Sequence, residues 1–316
     1  MGGGTGTFVT LSGLKQYPID LGVIVNMMDS GGSTGRLRVQ LGVLPPGDIR
    51  QCFVALSEAP ELWRKLFLYR FENGDLEGHN FGNIFLSALE KVSENYDEVL
   101  KTVGYVLKTK GSVLPVTYEK TQLCAEYESG VVVQGEGNID ENISEKSRIK
   151  KAFLEPSVSA NKNAVDRILE SDMIVIGPGD LYTSIIPLLL VDGIAEALKK
   201  THAKLVYVVN LMTKSGQTNG YNVSDHVNDL ERYIGRKLDY ILVHNGKIES
   251  SIVKWYVSHH EQQVNDDIGS DSRVIRLGLA DNTIVTAHKS DALARSILRH
   301  DSKKLADALV NLIDTL

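Results

Sequence analysis

Three short segments hold the residue types that close on an anion: Gly2-Gly-Gly-Thr-Gly-Thr7, Asp29-Ser-Gly-Gly-Ser-Thr-Gly-Arg36 and Gly177-Pro-Gly-Asp-Leu-Tyr-Thr-Ser184. Glycine lets backbone N–H groups approach a phosphate with no Cβ in the way. At a helix N-terminus those groups lack intrahelical partners and sit at the positive end of the peptide dipoles. Gly2, Gly3, Gly4, Thr5, Gly6 and Thr7 fit that role, as do Ser30, Gly31, Gly32, Ser33 and Thr34. The third turn adds Gly177, Gly179, Asp180, Tyr182, Thr183 and Ser184. None matches a standard nucleotide motif alone. Thr7 stands where the dinucleotide fingerprint needs its third glycine, and the Gly-Lys followed by Ser or Thr that a P-loop requires does not occur there. One such turn reads as well as a ligand-free bend, whereas three converging on one sheet edge are more telling, because open α/β folds bind ligands there.

The neighbouring side chains extend that chemistry. Arg36 brings a guanidinium that grips a phosphate through two hydrogen bonds. Asp29 is a candidate catalytic carboxylate that binds a ribose hydroxyl, holds Mg²⁺ on a diphosphate, or closes an Asx turn. Gly78-His-Asn-Phe-Gly-Asn83 precedes an apolar helix. There His79 is either a phosphate donor and general acid or a satisfied core histidine, Asn80 either a ligand amide or a helix cap, and Asn83 a second amide. Asp48 is placed to cap the helix after Pro45-Pro-Gly, Ser224 to cap another, and Asn210 follows a strand. His259-His260-Glu261 lacks zinc-protease spacing and reads as a solvated helix face. A Ser/His/Asp triad from Ser224-Asp-His226 lacks the Gly-x-Ser-x-Gly elbow around its serine.

Apolar spacing supplies the elements that must hold these residues. Phe8–Leu14 suits a helix opening on the first glycine loop, and Leu21–Val25 a strand buried on both faces. From about 48 to 110 the pattern is helical, over Ile49–Leu56, Glu61–Phe71, Phe81–Val92 and Val99–Leu107. Short strands are expected at Val113–Thr117, Gln122–Tyr127 and Val131–Gln134, with a turn at Ser129-Gly130, inside a strand and hairpin region of about 112–155; Gly135–Ser147 reads as an exposed loop. Alternation then resumes: helix Ala164–Leu169, strand Met173–Ile176, helices within Tyr182–Leu198, strand Leu205–Val209, helix Asp225–Ile234 and strand Tyr240–Val243. Such βα units imply an α/β fold, a mostly parallel sheet covered on both faces. Two amphipathic helices, Asp291–Arg299 and Ser302–Leu316, are expected at the end. A phosphate-binding glycine loop ordinarily leaves a buried strand, yet only Met1 precedes the first one. Either another segment takes that strand's place or the start is truncated, and a truncated start is the expectation.

Composition bounds the function. The 316 residues carry 34 Lys+Arg against 40 Asp+Glu, a formal charge of −6, and the basic footprint of a duplex-binding protein does not occur. Nucleic acid is therefore not an expected partner. Two cysteines exclude a disulfide framework and a zinc motif. The longest apolar run, Ser184–Val191, is broken by Pro187 and too short for a bilayer, and no basic-then-apolar leader opens the chain. A cytoplasmic protein without membrane insertion is expected.

Taken in order, Gly2–Thr7, Asp29–Arg38, Pro46-Gly-Asp48, Gly78–Asn83, Leu114–Thr117, Gly177–Ser184, Asn210-Leu-Met-Thr213 and Ser224-Asp-His226 resemble the gluconeogenesis-factor (YvcK-like) family. That family shares a superfamily with the 2-phospho-L-lactate transferase CofD. The resemblance runs from residue 2 to about 245. It implies one CofD-like domain over 1–316, a Rossmann-like three-layer sandwich with a helical insertion. It also implies a regulatory protein of carbon metabolism and cell shape or envelope growth that binds UDP-sugars such as UDP-N-acetylglucosamine, with no established reaction and with a homodimer as a candidate assembly. The alternatives are a transferase that uses a nucleotide-diphosphate donor with Mg²⁺ at Asp29, and an interaction scaffold without ligand. Ser30 replaces the second acid of the family's Asp-Asp-Gly-Gly, which weakens a two-carboxylate metal site, and Lys214–Asn219 replaces Gln-Pro-Gly-Glu-Thr-Asp, which removes two further acids. In this reading Arg36 is the counter-charge to the phosphates, and sugar or base meets His79, Asn80 and Asn210.

Overall fold

Continuous apolar runs build the sheet. Val23-Ile-Val25, Ile174-Val-Ile176, Leu205-Val-Tyr-Val208 and Ile241-Leu-Val243 have the pattern of strands covered on both faces, and each lies in a parallel strand. The computed structural model describes residues 1–142, 144–281, 283 and 296–314. Strand β1 (Gly22–Val25) pairs in parallel with β2 (Ser112–Pro115). Strands β6 (Met173–Ile176), β7 (Lys204–Val208), β8 (Tyr240–His244) and β9 (Val274–Leu277) form a four-stranded parallel sheet in that order. Met1 and Gly2 join the two sheets. Gly2 N–H donates to Ile24 O and its carbonyl accepts from Asn26, while the Met1 amine donates to Val175 O and its carbonyl accepts from Gly177.

Alternate residues of β7 point to opposite helical layers. Val206 and Val208 pack in one cluster with Leu14 of α1 (Gly4–Leu14) and Leu305 and Leu309 of α13 (Ser302–Ile313). Leu205 and Tyr207 pack in the other, with Leu198 of α10 (Ile194–Lys200) and Leu230 and Ile234 of α11 (Val223–Ile234). That is a three-layer α/β sandwich, and each buried Leu or Val contributes about 1.5–3 kcal/mol to holding it.

The helical insertion runs as α2 (Gly32–Leu41), α3 (Pro46–Leu56), α4 (Glu61–Leu68), α5 (Phe81–Val92) and α6 (Tyr96–Leu107). A second, antiparallel sheet follows with order β4–β3–β5, from β3 (Gln122–Tyr127), β4 (Val132–Gln134) and β5 (Ile149–Glu155). The remaining helices are α7 (Glu136–Asp140), α8 (Lys162–Glu170), α9 (Ile186–Leu189, entered through a π-turn at Leu181–Ile185) and α12 (Ser250–Ser258). β10 (Ala280–Asp281) pairs antiparallel with β11 (Arg299–His300).

Three local expectations change, and one strand goes unforeseen. Gly135–Ser147 is not simply an exposed loop: it opens with α7, whose Ile139 is buried. β5 is hidden in the sequence by Lys150 and Lys151, which interrupt its apolar pattern; Lys150 sits on the exposed side, paired with Glu126 at 2.6 Å. Asn222, not Ser224, caps α11, because Asp225 returns a hydrogen bond to the Asn222 N–H and completes a capping box. For the helix expected at Asp291–Arg299, residues 291–295 lie outside the described residues and Arg299 belongs to β11.

Candidate functional site

The glycine turns leave the C-terminal ends of the parallel strands, where open α/β sheets bind ligands. A hollow of about 280 Å³ there is lined by Gly3–Gly6, by Asp29 and Gly31–Thr34, and by Pro178–Asp180 with Ser184. The turns interlock by close backbone approach. A Cβ on Gly6 would lie 2.1 Å from the Pro178 carbonyl oxygen, and one on Gly47 2.4 Å from both Asp29 Oδ2 and Thr34 Oγ1. No other residue type fits those two positions without displacement.

Two helices aim their N-termini at this floor. α1 starts on Gly3 and α2 on Gly31, neither with a side-chain cap, so their first N–H groups are orphans of the kind an anion satisfies. Asp48 takes one of them: its Oδ1 accepts from Gly4 N at 2.8 Å. The expectation that Asp48 caps its own helix is thereby corrected, since α3 begins at Pro46 behind Pro45 and Asp48 turns to α1 instead. Asp29 Oδ1 accepts from Gly31 N at 3.0 Å, an Asx turn that shapes the second loop.

The hollow excludes several of the expected ligand residues. Arg36 is exposed and donates from Nη2 to Glu77 O at 2.8 Å. Ser33, Thr34 and Leu37 form the buried face of α2, and at 3.6 residues per turn Arg36 lies about a quarter turn away from it. The phosphate grip expected of Arg36 is therefore not placed at the hollow. His79 is buried behind the floor with Nδ1 3.1 Å from Ser33 Oγ, and burial, then Arg36 and Arg70, hold it below the usual histidine range, so it stays neutral. Asn80 caps α5 and donates to Leu68 O. Gly2 and Gly177 serve the Met1 junction, and Thr7 Oγ1 donates to Gly3 O. Ser30 ties its loop to α7, receiving a hydrogen bond from Gly137 N at 2.9 Å. Tyr182 donates to Asp229, and the Thr183 carbonyl accepts from Asn26.

Asn83 and Asn210 do line the hollow. Asn83 Oδ1 accepts from Arg50 Nε at 2.8 Å. Asn210 Oδ1 is buried with no hydrogen-bond partner, an acceptor left for something else to satisfy.

A second wall is made of charged side chains, of which only Asp180 is among the ligand residues expected from the sequence. Glu136 of α7 accepts from Ser30 N at 3.1 Å, and burial, then the Asp29 charge, raise its carboxyl well above the usual range. Asp180 is likewise raised by burial, against the pull of Lys214. Burial disfavours the Lys214 ammonium, but Asp180, Asp140 and Glu261 outweigh that effect and hold it above the ordinary lysine range. Its Nζ stands 3.2 Å from Asp140 Oδ1. Glu261, expected on a solvated face, lines the hollow and accepts from Ser215 N at 3.3 Å. Trp255 and His259, stacked at 3.9 Å, and Leu298–His300 complete the rim. Arg50 and Arg70 also border it. The sequence puts His259–Glu261 on a solvated helix face and does not disclose that the Trp255/His259 edge borders the glycine floor.

Among the described residues no group of three or more His, Cys, Asp or Glu has the arrangement to hold a metal ion. Mg²⁺ is commonly held by one or two carboxylates together with substrate phosphates, and Asp29 offers no more protein donation than that. The floor can receive phosphate oxygens on N–H and hydroxyl groups, Asn210 a hydroxyl or amide, and the Trp255/His259 edge a flat or sugar ring.

The family model for 2-phospho-L-lactate transferase CofD matches residues 1–283. The gluconeogenesis factor of Bacillus subtilis is 41% identical over 315 residues, covering 99% of this chain and 96% of its own. The gluconeogenesis factor of Halalkalibacterium halodurans is 38% identical over 312 residues, covering 98% and 94%. A crystal structure of a Bacillus halodurans protein described as a member of the UPF0052 family superposes with a TM-score of 0.88 at 37% identity, over 98% of this chain and 97% of that one. No helix among the described residues is long and apolar enough to cross a membrane. On this sequence and fold likeness, the chain belongs to the CofD family and to its gluconeogenesis-factor group.

Proposed function

We propose that this chain binds a nucleotide-diphosphate sugar, of the UDP-sugar class, and acts in the cytoplasm as a regulator of carbon metabolism and envelope growth. The observation that carries the reading is the meeting of three glycine turns and two uncapped helix N-termini in one hollow. The diphosphate lies on the Thr5, Gly6 and Gly32–Thr34 amides and hydroxyls, with Lys214 in place of Arg36 as the cation facing it. Asn210 takes a hydroxyl of sugar or ribose, and the Trp255/His259 edge covers a ring.

Titration calorimetry with UDP-N-acetylglucosamine tests this. Thr5→Glu puts a carboxylate at the N-terminus of α1, which the helix dipole tolerates and a diphosphate does not. It is expected to weaken binding at least tenfold at unchanged melting temperature. Asn210→Ala is expected to cost about tenfold, one hydrogen bond to a buried acceptor. Arg36→Ala is expected to change nothing. Wild-type affinity in Thr5→Glu would overturn the phosphate placement.

A second reading has one observation in its favour, the adjacency to Asp29 of the Glu136 carboxyl, which burial and the Asp29 charge raise well above the usual range. A carboxyl with raised proton affinity beside a carboxylate suits group transfer from a diphosphate donor, with Mg²⁺ carried by the donor's phosphates and Asp29. Incubation with deazaflavin, activated phospholactate and Mg²⁺ decides it; absence of a Mg²⁺-dependent product removes this reading and leaves the binding one intact.

A further inference from the structure

A diphosphate in the hollow meets a charge problem. Each phosphate of a nucleotide-diphosphate sugar carries a negative charge, and the lining already holds the carboxyl groups of Asp29, Glu136, Asp140, Asp180 and Glu261. The backbone amides of the floor supply partial charges only. A full positive charge must stand against the phosphates, or the carboxylates repel them.

Lys214 is placed for that task. Three carboxylates from three separate segments act on its ammonium: Asp140 of α7 at 3.2 Å, Asp180 of the third glycine turn, and Glu261 after α12. The turn that carries it is fixed from both sides. Lys214 N donates to Thr218 Oγ1 at 2.8 Å, the Lys214 carbonyl accepts from Gln217 N and Thr218 N, and Thr213 N donates to Gln262 O at 2.7 Å. Gln217 Nε2 donates to Asp140 Oδ1 at 3.1 Å, the same oxygen that faces the ammonium, so the partner is held as well. Asp180 ties the cation to the floor, because it follows Gly179, where an added Cβ would stand 3.7 Å from Gly3 O at the start of α1. Arg50 and Arg70 border the same hollow but donate elsewhere, Arg50 to Asn83 Oδ1 and Phe67 O and Arg70 to Gly78 O. A divalent cation has no comparable seat, since no group of three or more His, Cys, Asp or Glu among the described residues has the arrangement to hold one.

We infer that Lys214 is the resident counter-ion of this hollow, and that its ammonium takes the place a divalent cation would fill, so that the chain binds a nucleotide-diphosphate sugar without added metal. The inference rests on the diphosphate reading above and adds which charge makes that reading possible. A lysine ammonium is a compact charge with several N–H donors, enough to keep Asp140 and still face a phosphate oxygen. The carboxylates around it act in both directions: they hold the ammonium charged and in place, and they compete with the ligand for it.

Titration calorimetry with UDP-N-acetylglucosamine, in excess EDTA and in MgCl₂, tests this on the wild type, Lys214→Gln and Asp140→Asn. The wild type is expected to bind equally in both solutions. Lys214→Gln is expected to lose about thirtyfold in EDTA, the cost of removing one partner of a close charge pair, and to recover part of that in MgCl₂, because the carboxylates left behind then need a mobile cation. Asp140→Asn takes away a competitor and leaves Lys214 in place, so a tightening of about threefold is expected, a gain that a merely structural role for the pair would not produce. Wild-type affinity of Lys214→Gln in EDTA overturns the inference, and so does a wild type that binds in MgCl₂ but not in EDTA; either result leaves the diphosphate reading standing. Unchanged or weaker binding by Asp140→Asn also overturns it. A wild type that binds in neither solution defeats the diphosphate reading itself, and the inference with it.

Discussion

The floor and the charged wall of the hollow are made by different physics. The floor is backbone: N–H groups of α1 and α2 and the Gly177–Pro–Gly179 turn, fixed by contacts so close that only glycine fits at Gly6 and Gly47. The wall is side chain, with Glu136, Asp140, Asp180, Glu261 and Lys214 brought from four separated segments and held at the expense of desolvation. Backbone donors cost nothing to keep oriented and carry no net charge to desolvate, so the floor supports the fold while it binds. The wall opposes the fold wherever a carboxylate is buried without full compensation. If that contrast holds, floor substitutions unfold the protein and wall substitutions leave it folded or make it firmer.

The largest expected effect is on the floor. Gly6→Ala in an ordinary exposed helix gains about 1 kcal/mol. Here the new methyl meets the Pro178 carbonyl at 2.1 Å, so a loss of about 2–3 kcal/mol is expected together with loss of nucleotide binding. Chemical denaturation gives the sign directly. A stabilised Gly6→Ala would show that the turns do not interlock.

An acid sensitivity on the rim is of similar size in stability but leaves the floor in place. Burial, reinforced by His244, lowers His300 to about 4, while the unfolded chain titrates near 6.5. Between those values the unfolded state binds the proton and the folded state does not, so stability falls as pH drops from about 6.5 toward 4. At 1.36 kcal/mol per pKa unit the loss is on the order of 3 kcal/mol. Denaturation midpoints of the wild type and of His300→Asn across that window check it: the variant is expected to lose much less.

The same contrast explains what the sequence discloses. Glycine spacing is local, so Gly2–Thr7, Asp29–Arg36 and Gly177–Ser184 announce the floor, and the continuous apolar runs announce the parallel strands. Direction along a short helix is less legible. Arg36 belongs to the right loop, yet its angle from Ser33 and Thr34 turns it outward, while His79, a plausible acid on paper, serves Ser33 from behind. Apart from Asp180, which the third glycine turn carries, the wall was illegible because each of its members looks ordinary where it stands. Glu136 lies in a stretch with the composition of a solvated loop, and Glu261 follows two histidines on what reads as an exposed face. Only the tertiary approach of α7 to the Asp29 loop gives Glu136 its chemistry, and the one local hint, the buried Ile139 three residues later, marks the helix but not what it faces.

The smallest effect separates the two surfaces most cleanly. Burial and Asp29 raise the Glu136 carboxyl above its unfolded value, so the folded state holds the proton more tightly than the unfolded state does. Its contribution to stability is therefore intact below about 4.5 and declines as pH rises toward the folded value, the reverse of a salt-bridged carboxylate. Glu136→Gln keeps an oxygen to accept from Ser30 N and removes the charge beside Asp29. A gain of about 1 kcal/mol at neutral pH is expected, shrinking to nothing below pH 4.5. Because Gln cannot exchange a proton, the same variant also divides the two readings of the hollow. Undiminished affinity for a UDP-sugar with raised stability assigns Glu136 to tuning a binding site. A stabilised protein that has lost a Mg²⁺-dependent transfer assigns it to chemistry, and a pH-independent change in stability contradicts the burial of a proton at this position.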